Sequence, residues 1–263
     1  MLTDGIRTAR RVSAGATYPD RMSEPGTTLR PTADASTDEP WLLELVGLAA
    51  YVELGTFGLF ASHSAHAPDL ARRQVLAEVA DRVLRRQRGL LEIAQARGVE
   101  SVDLMSPFDG VLADFDARTV PHSWWEGLLK GIVGHGVAED LCRILANGLS
   151  GPDAATVLAV VERPRDDGAA TVMLAEAVKR DDVLAARLAL WGRRVVGEAL
   201  RLAQTVLSKH PVFATMARAA GSAVSGGAAT GAAAERGTEV PAWLLAQLTA
   251  EHTRRMDRIG LAA

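Results

Sequence analysis

Residues 42–60 read LLELVGLAAYVELGTFGLF. Leu42, Val46, Ala49, Glu53, Phe57 and Phe60 recur at steps of three and four, which on an α-helix is a single face. Ser36-Thr37-Asp38-Glu39 upstream resembles a capping box, and Pro68 downstream ends the run, so a first helix is expected from about 36 to 66. One residue breaks the stripe. A carboxylate at Glu53, between Ala49 and Phe57, is costly to bury unless it binds a metal, pairs with a cation or is neutralised. The other reading is a stripe edge that reaches solvent.

The same periodicity continues outward. A second helix is expected from Pro68 to Gly98, with the stripe Leu76, Val79, Val83, Arg86, Leu90 and Ala94. A short helix fits Pro107 to Arg118, and a third long one fits Pro121 to Gly148. A fourth starts at Pro152, breaks at PRDDG (Pro164 to Gly168) and resumes to Arg180. A fifth spans Asp182 to Lys209 and stops before Pro211, and a last one spans Pro241 to Ile259. No strand-like alternation of useful length occurs. Residues 1–38, rich in Gly, Pro, Ser and Thr, read as a disordered tail, and 221–237 (GSAVSGGAATGAAAERG) as a flexible linker. The expectation is an all-α antiparallel four-helix bundle over 39–220, with the C-terminal helix of 238–263 packed outside it.

Composition agrees. Hydrophobic residues make up 48% of the 263 and aromatics only 5%, a balance that suits helices packed through aliphatic and small side chains. A net charge of −3 gives no global attraction to nucleic acid or an anionic membrane. The single cysteine, Cys142, excludes an intrachain disulfide and a Cys-rich metal site. No apolar run of about 18 residues suggests a membrane span, and the arginines at 7, 10 and 11 precede no apolar block, so a reducing cytoplasm is expected.

Few residues on the stripes carry chemistry. Arg86 interrupts the second stripe and is a natural bidentate partner for Glu53, while Arg82, Arg85 and Arg88 read as a solvated face. The third stripe is Trp124, Leu128, Ile132, His135, Glu139, Cys142 and Leu149. His135 and Glu139, four apart, face one way. They could be two metal ligands, or a histidine held by hydrogen bonds in the core. Cys142 reads as a small core residue. Arg163, Asp166 and Asp167 sit where a helix would face inward, but Pro164 among them favours an exposed kink. Trp124, Trp125 and Trp191 read as core or interface anchors. No phosphate-binding loop or nucleophilic triad is present.

Several stretches resemble a known family: AAYVELGTF (49–57), ARGVE (96–100), MSPFDGVLADFDART (105–119), SWWEGLLKGIVGHGVAEDL (123–141), RLALWGRRVVGEAL (187–200) and AEHTRRMDRIGL (250–261). They are similar to actinobacterial ferritin-like proteins, relatives of the tRNA hydroxylases acting on methylthio-isopentenyl-adenosine. The resemblance implies a carboxylate-bridged di-iron centre. Each of two helices would give one acid, and each of two others an acid-x-x-His pair. Carried over by position, the first acid is Glu53. The second pair falls on Val83 and Arg86, the third acid on His135, and the fourth pair on Arg163 and Asp166. Most ligands are replaced, two of them by cations that repel a divalent metal.

The expectation is therefore a ferritin-like protein without a di-iron centre, in which an Arg86–Glu53 pair fills the former cavity, joined by His135 or Glu139. It would need no cofactor and would bind or scaffold a protein or small molecule, with a homodimer open. The alternative is an iron- or manganese-dependent oxidase or hydroxylase built on Glu53, His135, Glu139 and Asp166. A third reading, tRNA binding through the Arg72–Arg88 surface, leans on the resemblance and local charge.

Overall fold

The structure is a computed structural model, and it describes residues 39–162, 168–224 and 240–263. The stretch read as a disordered tail, the PRDDG break with Arg163, Asp166 and Asp167, and most of the Gly/Ala linker lie outside the described residues. The elements are α1 (Glu39–Ala65), α2 (Leu70–Gln95), α3 (Ser101–Met105), α4 (Ala113–Arg118), α5 (Trp124–Leu129), α6 (His135–Ala146), α7 (Gly151–Val161), α8 (Gly168–Arg180), α9 (Asp182–Lys209), α10 (Pro211–Val224) and α11 (Ala242–Ile259). No strand occurs among the described residues.

Helix ends follow local chemistry. Asp69, Ser123 and Asp181 each cap a helix by accepting from the backbone N–H three residues on, at Arg72, Glu126 and Leu184. Gly260 closes α11 at φ 82°, the left-handed conformation that glycine adopts without a Cβ penalty, while Leu261 N–H reaches back to the Met256 carbonyl.

Four long helices make the bundle. α1 and α2 pack along each other, α6 packs on α1, and α7 packs on α1, α2 and α6. α7 lies beside α6 and α8 beside α5, so the α7–α8 pair runs antiparallel to the α5–α6 rod. α9 crosses the outside of that rod, and α10 and α11 pack against α6 and α9. The core is aliphatic, with Leu42, Leu45, Leu76, Leu90, Leu128, Leu145, Leu174 and Leu188 at 1% exposure or less.

Three expectations are corrected. The short helix drawn over 107–118 is α3, a 3₁₀ turn at Ser106–Phe108, and α4. The chain after Lys209 does not stop being helical: Pro211 opens α10, which runs through Gly221–Val224 into what reads as linker. Proline lacks only a backbone N–H that a first turn leaves unused, so it starts a helix as readily as it ends one. Finally, α1 is long and apolar enough by length and composition to cross a membrane, although more than half of that window is buried inside the bundle.

The α5–α6 rod is not a plain α-helix. Lys130–Gly134 forms one π turn between them, which inserts a residue into the helical repeat. Neighbours crowd it. A Cβ at Gly131 would meet the Phe60 ring at 2.7 Å, and one at Gly134 would meet Phe115 at 2.7 Å and Val195 at 2.9 Å.

Candidate functional site

The stripes of α1, α2 and α6 converge at the bundle centre. Arg86 reaches in from α2, and its Nη2 lies 2.6 Å from Glu53 Oε1 of α1 and 2.6 Å from Glu139 Oε1 of α6. The three side chains are 8%, 6% and 13% exposed. One buried cation therefore sits between two carboxylates at charge-assisted hydrogen-bond length. Burial alone would weaken the guanidinium's hold on its proton. The carboxylates of Glu139 and Glu53 outweigh it and hold Arg86 above its ordinary value.

The walls of this centre are apolar. Ala49, Val52, Leu90, Cys142 and Val161 surround the triad and a small cavity of about 10 Å³. Burial first, then the Glu53 and Glu139 charges, push the Cys142 thiol well above its ordinary value. A thiol held protonated in this way is an inert packing group.

His135 lies one turn before Glu139 on α6 and is buried, 3% exposed. Its ring stands edge-on to Phe115 at 5.9 Å between centroids. It lines a second, almost wholly apolar hollow of about 20 Å³ with Leu112, Leu141, Ala199, Ala203 and Val206. Val52 and Cys142 form a wall common to both spaces. The position-by-position resemblance puts the third-helix acid at His135, whereas the carboxylate that α6 delivers to Glu53 and Arg86 is Glu139. Of the four residues named for a metal, the structure brings together Glu53 and Glu139. His135 lines the neighbouring hollow beside Phe115, and Asp166 lies outside the described residues. Among the described residues no three His, Cys, Asp or Glu side chains gather as a metal-binding group.

Two further buried polar clusters went unread in the sequence. Arg255 of α11 pairs with Asp140 of α6 and donates to the Gly136 carbonyl at 3.0 Å. Next to it, His252 is 2% exposed, with no hydrogen-bond partner for either ring nitrogen among the described residues. Burial, then the Arg255 charge, lower its pKa to about 4. Glu126 forms the other cluster, accepting from the His122 backbone N–H at 2.7 Å and from Arg187 at 3.2 Å. The Trp191 indole donates to the Glu126 carbonyl at 2.9 Å. Apart from the His122 N–H, the partners lie 61 to 119 residues apart, so no spacing rule could have found them.

The α2 surface carries less free charge than its arginines suggest. Arg72 pairs with Asp69 and Arg85 with Asp81, and Arg97 is tied to the Ile93 carbonyl.

No curated protein matches the chain. The model of the ferritin-like domain of actinomycetes matches residues 38–220, a span that takes in the whole four-helix bundle, and the chain belongs to that family.

Proposed function

We propose that this protein is a non-catalytic member of its family, kin to the tRNA hydroxylases, in which an ion triad has replaced the di-iron centre. It acts as a binding or structural protein in the cytoplasm. The observation that carries the reading is Arg86, whose guanidinium occupies the point where the Glu53 and Glu139 carboxylates converge.

The donor set does not fit a di-iron centre. A carboxylate-bridged pair of metals needs an acid from each of the four helices and a histidine from two of them. Here α2 offers Arg86 where the family places a histidine, and the nearby imidazole, His135, faces Phe115. A guanidinium already supplies the positive charge that the two carboxylates require. A divalent metal at about 4 Å from it would meet repulsion of several kcal/mol at the effective dielectric of a protein. tRNA binding through α2 draws little support, because Arg72 and Arg85 are matched by acids on their own helix.

Elemental mass spectrometry of the protein expressed with iron and manganese supplied tests this directly. The expected result is folded protein with far less than one metal per chain, unchanged in Glu53→Gln. Near-stoichiometric iron or manganese that disappears in Glu53→Gln would overturn the reading and favour the oxidase or hydroxylase alternative.

A further inference from the structure

α9 has one face that none of the described residues covers. Asp182, Val183, Ala186, Leu190, Arg193, Arg194, Gly197 and Arg201 fall on a single side of this helix and are all exposed. Val183 is 71% and Leu190 65% exposed. Lone exposed aliphatics are common on protein surfaces, but these line up over two turns. Val172 of α8, 58% exposed, stands nine residues before Asp181 as Leu190 stands nine after it, and so adds apolar surface at the same level of the α8–α9 hairpin.

Two other features of the face have no reason among the described residues. Gly197 lies in the middle of a 28-residue helix, where glycine costs backbone entropy, and a Cβ there would meet nothing within 4 Å. Arg193 and Arg194 have no carboxylate partner among the described residues, although the Arg194 guanidinium lies over the Trp191 ring. The charge on the face is also split, with Asp182 at its start and the arginines beyond its centre.

We propose that this face is an isologous interface, on which α9 of a second copy of this chain packs antiparallel across a two-fold axis at Leu190. A two-fold axis pairs positions equally spaced before and after it. Leu190 then packs on Leu190 of the second copy. Val183, seven residues before the axis, meets Gly197, seven after it, where the missing Cβ admits the valine. Asp182 falls one turn, about 6 Å, from the level of Arg194, within reach of the Arg193 and Arg194 guanidinium groups. Each end of the interface thus joins an acid to two bases, and the apolar residues meet at its centre. This inference is independent of the metal content of the bundle centre.

Sedimentation of the full chain is expected to give twice the 27.9 kDa chain mass. Leu190→Asp is expected to give a monomer with unchanged melting, because the side chain touches little of its own fold. Oxidised Leu190→Cys should crosslink two copies through the axis. Ser208→Cys, on the same face but far from the axis, should not, and Cys142 is buried in both. A wild-type monomer, a dimer that survives Leu190→Asp, or equal crosslinking at Ser208 would overturn the proposal.

Discussion

Arg86 is a single residue that pairs with two carboxylates at the bundle centre. Its removal is a test of charge rather than of size. In Arg86→Ala, Glu53 and Glu139 face each other in an apolar cavity with no cation between them, and breaking a buried pair in this way costs about 3–5 kcal/mol. Removing all three charges has a different effect. The combination Glu53→Leu, Arg86→Met and Glu139→Leu keeps the volume and abolishes the desolvation, so it should recover most of that loss or exceed the wild type. Urea denaturation of the three proteins checks both halves. If Arg86→Ala unfolds at the wild-type midpoint, the triad contributes nothing to the fold. The sequence made Glu53 and Arg86 visible as polar residues on apolar stripes. It left open which α6 residue would meet them, because His135 and Glu139 stand four apart on one face of α6 and spacing alone does not choose between them.

At the scale of the helices, two glycines of similar appearance have opposite roles. Gly148 follows α6, and a Cβ there would strike the Met216 carbonyl in the backbone of α10. Backbone cannot swing aside as a side chain can, so Gly148→Ala should loosen α10 from α6 and cost about 1–3 kcal/mol. Gly58 lies mid-helix in α1 with nothing within 4 Å of its would-be Cβ. There Gly58→Ala should stabilise by about 0.5–1 kcal/mol through helix propensity alone. Thermal melts of the two variants should therefore move in opposite directions, and a shared direction would refute the packing argument. The elements themselves were legible wherever caps and prolines bracket a periodic run. α9 begins and ends where Asp182 and Lys209 predict, because Asp181 caps it and Pro211 follows it closely. α10 was not legible. Its proline reads as a stop, and its alanines and glycine merge with the low-complexity stretch beyond, so nothing local reveals that Phe213, Met216 and Ala217 are fully buried.

For the molecule as a whole, the question is where the folding unit ends. The family match stops at residue 220, which would make α11 an appendage. The packing argues otherwise. Leu244, Leu248, Met256, Ile259 and Leu261 of the C-terminal segment are 3% exposed or less. At about 1.5–3 kcal/mol for each fully buried side chain, they represent on the order of 10 kcal/mol, as much as the whole net stability of an ordinary domain. Arg255 adds an electrostatic tie, since without it Asp140 stays buried in α6 with only the half-exposed Arg143 at 3.3 Å. The Trp243 ring also closes on Gly221, where a Cβ would lie 2.8 Å from its indole nitrogen, which locks α11 to α10. A chain ending at Val224 keeps all four bundle helices yet loses this cover from α6, α8 and α9. It is expected to be insoluble, or to show helical circular dichroism without a cooperative melt. A soluble fragment of 38–224 that unfolds in one sharp transition would mean that the bundle is self-sufficient and that α11 is an addition to a finished fold.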